Sequence, residues 1–198
     1  MAGSISGTSK SYFDTMQSVL TQIDHEPIEA YASEVFEAWR DDRQVLVFGN
    51  GGSAANASHH VADYVKTAAV DGQRRLRALC MSDNIGMLTA LGNDVSYDDV
   101  FRYPLESYAK PGDLAVAITC SGNSGNLLTA CEWARSNGVK VIALTGFQGG
   151  KIKDYADIHI NIPSDNYGVI EDLQLSIGHI AAQILKSRIL EQLAKEAA

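Results

Sequence analysis

Short, nearly unbroken apolar runs that recur between helical stretches constrain this chain more than any other feature. Asp113 to Thr119 reads D-L-A-V-A-I-T, and Val139 to Thr145 reads V-K-V-I-A-L-T. Between them, residues 124–137 carry a helical pattern, with Gly138 as its stop. Gln44 to Phe48, Leu76 to Met81 and Ile158 to Ile162 are further runs of the same kind. Runs this short and continuous are expected of strands buried on both faces, as in a parallel sheet covered by helices. The expected fold class is therefore an α/β sandwich around a parallel sheet.

Helical spacing also predicts segments at 12–23, 28–40, 54–66, 84–91, 97–109, 151–155 and 169–194. Gly92-Asn93-Asp94 reads as a turn, and Pro104 as a kink inside its helix. The 198 residues, 45% of them hydrophobic, suit a single domain with its own core. We expect residues 1–41 to form two leading helices that pack on the sheet or form an oligomer interface, and residues 42–198 the α/β core. The 16 basic against 24 acidic side chains leave a net charge of -8, which repels a phosphate backbone and speaks against nucleic acid. No run approaches the length of a membrane span. The Ser- and Gly-containing start, Met1 to Lys10, lacks the apolar core of a signal peptide. Cys80, Cys120 and Cys131 show no paired spacing, so a reducing cytoplasm is expected.

Two strand-to-helix turns carry the ligand signal. One is Gly49-Asn50-Gly51-Gly52-Ser53, the other Thr119-Cys120-Ser121-Gly122-Asn123-Ser124. Such loops lie at the carboxyl ends of parallel strands, where ligands bind. Glycine lets the backbone curl, the first amides of the following helix face an anion, and serine adds hydroxyls. Neither loop continues into Gly-Lys-Ser/Thr, and neither has the spacing G-x-G-x-x-G. A nucleoside triphosphatase and a dinucleotide enzyme are thus disfavoured, while a small phosphorylated ligand fits.

Acid–base chemistry has its own candidates. His59 and Asp63 are four apart and share a helix face. An exposed ion pair is the plain alternative for them, and a packed histidine the plain alternative for His179. Glu171 and His179 are eight apart, about 80° around a helix and about 12 Å along it. One straight helix cannot bring both to a single small site. Separate roles, or a site shared between subunits, follow. Two histidines and two carboxylates also form a plausible donor set for Zn²⁺.

The sequence resembles the sugar isomerase (SIS) domain family and, within it, the phosphoheptose isomerases. The resemblance rests on F-G-N-G-G-S-A-A-N-A-S-H-H at 48–60, L-T-A-L-G-N-D at 88–94, T-C-S-G-N-S-G-N at 119–126 and I-G-H-I at 177–180. It implies a five-stranded parallel sheet in a three-layer sandwich and a homotetramer with active sites at subunit interfaces. It implies conversion of sedoheptulose 7-phosphate to glycero-manno-heptose 7-phosphate. The phosphate loop would be Ser121, Gly122, Asn123 and Ser124, with Thr119 and Cys120 beside it. Asn50, Gly51, Gly52, Ser53, Asp94 and Glu171 would contact the sugar. The metal or catalytic positions fall on His59, Asp63, Glu171 and His179, with Zn²⁺ as the implied ion and no nucleotide. Three positions depart from the usual pattern. Asp63 stands where the family has Glu, Glu171 where it has Gln, and Cys120 where it has Thr.

The expected mechanism is proton transfer between C1 and C2 through an enediol(ate), with Asp63 as base, Glu171 as its rival and His179 as acid. Two other readings remain open at this level. One is a non-catalytic SIS module that binds a phosphosugar or a replication-initiator protein. The other is isomerisation of a different ketose phosphate.

Overall fold

The computed structural model describes residues 7–197. Most of the start that speaks against a signal peptide, residues 1–6, lies outside them. Five strands form one parallel sheet: β1 (Gln44–Gly49), β2 (Arg77–Cys80), β3 (Leu114–Ile118), β4 (Lys140–Thr145) and β5 (Ile158–Asn161). Their order is β2-β1-β3-β4-β5. Register is pinned by pairs such as Val47 with Cys80, Val47 with Val116, and Val116 with Ile142. Among the described residues seven α-helices accompany them: α1 (Ser9–Leu20), α2 (Glu26–Arg40), α3 (Gly52–Ala62), α4 (Ile85–Asp94), α5 (Arg102–Tyr108), α6 (Gly125–Ser136) and α7 (Tyr167–Glu196).

The unbroken apolar strands make sense because each face of the sheet is covered. Successive strand residues point to opposite faces. Val45, Val47, Leu114, Val116, Ile142 and Leu144 join a core with Tyr31 and Val35 of α2, Ala57 of α3 and Leu173 and Ile177 of α7. Leu46, Phe48, Ala115, Ala117, Val141 and Ala143 join a second core with Leu105 of α5 and Leu127 and Ala130 of α6. This is the expected three-layer arrangement.

Chain direction across the sheet reverses at β1. From β1 the chain goes to β2 on one side, and β3 takes the other. The loops after β1 and β3 therefore flank a crevice at the carboxyl ends of adjacent strands, the usual ligand position in such sheets. The two glycine- and serine-rich loops are the ones placed there.

Three local expectations are corrected. Helix α4 runs through Gly92-Asn93-Asp94 rather than turning there. Leu88 and Leu91 pack on the second core, and the Leu91 carbonyl accepts the Val95 and Ser96 amides to close the helix. That packing outweighs the roughly 1 kcal/mol that a mid-helix glycine costs. Residues 97–109 are not one helix. A 3₁₀ turn at Tyr97–Asp99 precedes α5, so Pro104 sits in the first turn of α5. An amide there has no intrahelical acceptor, and proline loses nothing by lacking it. Helix α3 ends at Ala62 and widens into one π turn, Asp63–Thr67.

Helix α2 packs on the sheet and on α7. Helix α1 leans on α7, where the Tyr12 hydroxyl donates to Asp172 Oδ2 at 2.6 Å. Burial and that carboxylate push the Tyr12 phenol up to about 12. Among the described residues no helix is long and apolar enough to cross a membrane.

Candidate active site

A cleft of about 210 Å³ opens at the crevice. Asn50 and Ser53 line it from the loop after β1, and Thr119, Cys120, Ser121 and Ser124 from the loop after β3. Tyr167 and Glu171 of α7 form its third wall. Neither Lys nor Arg lines it, so an anion here would rest on amides and hydroxyls.

The loop after β3 is held in shape from behind. Gly122 has φ of +66°, and a methyl on it would collide with the Gly149 carbonyl. Its amide donates to Thr119 Oγ1 at 3.2 Å. The Ile152 amide donates to the Gly122 carbonyl at 3.0 Å, and the Lys151 amide donates to Asn123 Oδ1 at 3.0 Å. Ser124 begins α6, and its side chain makes no capping hydrogen bond. A hydroxyl left unused at the start of a helix, in a cleft, is suited to a ligand oxygen.

The loop after β1 is occupied differently. Asn50 and Asn126 exchange amide hydrogen bonds, each 3.0 Å long, and the Tyr97 hydroxyl donates to Asn50 Oδ1 at 3.1 Å. The Glu171 carboxylate lies against Gly52, where a methyl would strike it. A negative side chain thus already sits at the start of α3, where the helix dipole favours it. Asn56 Nδ2 donates to the Glu171 backbone carbonyl at 2.9 Å and fixes α7 against α3. Cys120 Sγ is 4.0 Å from Glu171 Oε1. Burial first, and then the Glu171 charge, push the Cys120 thiol up to about 11, so it stays neutral near pH 7. Asp98 mirrors this at α6, lying against Gly125, but it does not line the cleft.

A second cluster stands further along α3 and α7. His59 Nε2 is 3.2 Å from His179 Nε2 and 3.6 Å from Asp63 Oδ2, and His179 Nε2 is 3.3 Å from that same oxygen. The Thr67 hydroxyl, on the π turn, donates to Asp63 Oδ1 at 2.8 Å and orients the carboxylate. These three could hold one metal ion. Zinc–ligand bonds of about 2.0–2.1 Å in a tetrahedron place the donors about 3.4 Å apart, which the three separations match. The two histidines are about half exposed, so water could reach an ion held between them.

The structure therefore brings His59, Asp63 and His179 together and leaves Glu171 out of that group. Glu171 and His179 are eight positions apart on uninterrupted helix, so the expected four-residue metal set does not form within one chain. Asn50, Ser53, Thr119, Cys120, Ser121, Ser124 and Glu171 line one cleft, with Gly51, Gly52, Gly122 and Asn123 shaping its loops. Asp94 ends α4, exposed, accepting from Asn93 at 2.6 Å, and does not line the cleft.

Some contributors escape a reading of the sequence. Tyr167 falls outside the periodic pattern because it is the first residue of α7. Asn126 lies within the quoted 119–126 block, yet only its pairing with Asn50 reveals its role. His60 is fully buried, and its Nε2 lies 3.0 Å from the Gln174 carbonyl. Burial pushes its imidazole down to about 4, so it is neutral and donates that bond. His159 packs on Thr145, with Nε2 at 2.7 Å from Oγ1.

Residues 11–146 match the family model described as SIS domain. The chain is 38% identical over 162 residues to a phosphoheptose isomerase of Geobacter sp. (strain M21), covering 82% of this chain and 84% of that one. It is 34% identical over 179 residues to a probable phosphoheptose isomerase of Thermoplasma acidophilum, covering 90% and 98%. Among solved structures, a phosphoheptose isomerase from Neisseria gonorrhoeae superposes with a TM-score of 0.83 at 30% identity, over 90% of this chain and 96% of that one. One from Francisella tularensis gives a TM-score of 0.84 at 28% identity, with the same coverage.

Proposed function

The chain belongs to the SIS-domain family and stands among its phosphoheptose isomerases, and from that premise we propose how this aldose–ketose isomerase works. Its substrate is D-sedoheptulose 7-phosphate and its product D-glycero-D-manno-heptose 7-phosphate, a step towards nucleotide-activated heptose. The non-catalytic reading gives way to an enzyme.

One observation carries the assignment of parts. The cleft and the histidine–aspartate group lie on the same two helices but at different heights. Gly52 and His59 are separated by about 10 Å along α3, and Glu171 and His179 by about 12 Å along α7. A phosphate held by Ser121 to Ser124 with its carbonyl end at His59, Asp63 and His179 requires a long linear sugar chain. Seven carbons with a terminal phosphate answer that requirement better than five.

Asp63 takes a proton from C1 of the open-chain ketose. His179 gives a proton to O2 and receives the one on O1 as the enediol collapses. Asp63 then returns its proton to C2, and the aldose is formed. His59, Asp63 and His179 would alternatively hold a divalent ion such as Zn²⁺, which would supply Lewis-acid stabilisation of the enediolate; Asp63 and His179 would then be committed to the ion rather than to proton transfer, and the base would be Glu171. Asn50 and Glu171 would orient the sugar hydroxyls along the way.

A second reading is favoured by Glu171, which is paired with no cation among the described residues. Freed from metal binding, it is the rival base. The experiment is a turnover panel of five-, six- and seven-carbon ketose phosphates, with and without a chelator, on wild type, Asp63→Asn, His179→Gln and Glu171→Gln. Loss of turnover above a hundredfold in Asp63→Asn and His179→Gln is expected. Wild-type turnover in both sinks the mechanism, and a loss confined to Glu171→Gln moves the base to the cleft.

We further propose a cytoplasmic homotetramer of one domain, with active sites at subunit interfaces. The support is the exposed apolar face of α1, where Phe13 and Leu20 are 64% and 49% exposed, together with three buried free thiols.

A further inference from the structure

We infer that His60 and Gly178 form a knob and socket that sets the spacing of the His59–Asp63–His179 group. The inference rests on the proposed role of that group.

His60 has no exposed surface and touches no substrate. Its ring is wedged between α3 and α7, directly over Gly178. A methyl at position 178 would overlap the ring at Cδ2 and Nε2. The same bare stretch of α7 lets Nε2 reach the Gln174 carbonyl, one turn earlier, at 3.0 Å. The two helices can approach this closely only because one supplies a flat ring and the other no side chain.

The chain neighbours of this buried pair are His59 and His179. Consecutive Cα atoms are held at about 3.8 Å, so the exposed pair rides on the buried one. The His59–His179 separation of 3.2 Å is therefore inherited from the contact beneath it.

Both partners are braced. Gln174 Nε2 donates to the carbonyls of Thr119 at 2.9 Å and Leu144 at 3.2 Å, tying α7 to the ends of β3 and β4. On the other side the His60 ring meets Tyr64 edge-on, with centroids 6.1 Å apart. The Tyr64 hydroxyl pairs with that of Tyr31 on α2. His60 and Gly178 are thus positioning residues that sit directly beneath the reacting end of the site, and they reach the cleft only indirectly, through Gln174 and the Thr119 carbonyl. The phosphate loop belongs to β3 and α6 and lies outside their contact.

The test is Gly178→Ala in the full-length protein, checked for folding by circular dichroism. Turnover and KM for sedoheptulose 7-phosphate are measured, together with Co²⁺ affinity from its visible absorption. We expect kcat to fall at least tenfold and Co²⁺ to bind at least tenfold more weakly, with KM within twofold of wild type. The double variant His60→Ala/Gly178→Ala, which makes room for the methyl, should regain part of both losses. If Gly178→Ala does not fold, His60→Ala carries the test with the same expected split. A folded Gly178→Ala with wild-type kcat and Co²⁺ affinity overturns the inference, as does a loss confined to KM. If the wild type binds Co²⁺ but turns over no ketose phosphate, the proposed reaction fails while the spacing is still read. A wild type that does neither overturns both.

Discussion

The loops after β1 and β3 look alike as sequence and end differently as structure. Both follow a buried strand, bend through a glycine of positive φ and open a helix whose first residue is glycine. At the first, Glu171 reaches across from α7 and places its own carboxylate inside the cleft. At the second, the acidic neighbour Asp98 stays outside the cleft, and Ser121 and Ser124 face inward. A glycine- and serine-rich turn is thus an anion site only where no other element has filled it. On the proposed reading, the second loop is the one left to a phosphate.

The largest expected difference between them comes from the bend itself. Gly122→Ala meets both a left-handed φ and the Gly149 carbonyl, and should cost about 1–3 kcal/mol while raising KM at least tenfold. Gly51→Ala, with open space around it, should cost about 1–2 kcal/mol and leave KM within threefold. Urea unfolding and substrate titration measure both, and equal effects on KM would break the contrast. Next comes Glu171→Gln. Removing a like charge at roughly 1 kcal/mol should tighten competitive inhibition by inorganic phosphate about fivefold. An unchanged inhibition constant would place the phosphate elsewhere. Ser124→Ala should raise KM about threefold to tenfold through a lost hydrogen bond of about 1 kcal/mol, against less than twofold for Ser53→Ala. The smallest effect belongs to Asp98→Asn. Relieving the start of α6 of a carboxylate by a few tenths of a kcal/mol should lower KM about twofold. A rise instead would mean that Asp98 supports the loop rather than opposing the anion.

Much of this was legible in the chain. Strands buried on both faces leave an apolar signature, so β1, β3 and β4 are read almost to the residue. His59 and Asp63 declare themselves by helical spacing, and the separation of Glu171 from His179 follows from helix geometry alone. What the sequence withholds is whatever depends on the approach of distant elements. The extension of α4 through Gly92 is decided by Leu88 and Leu91 on a core made elsewhere. The placement of Pro104 in a first turn depends on the 3₁₀ segment before it. The pairing of Asn50 with Asn126 spans 76 residues, and no local pattern announces it. Likewise His60 has no meaning until α7 presents Gly178 to it.

Helix α7 is a single rod of 30 residues, about 45 Å long, with Glu171 near one end of its working stretch and His179 further down. It behaves as a crankshaft. Turned about its axis, it swings two arms set about 80° apart, so neither can advance on a ligand without the other shifting. Any displacement of the rod would carry both arms together, and Gln174, hydrogen-bonded to the sheet between them, opposes it.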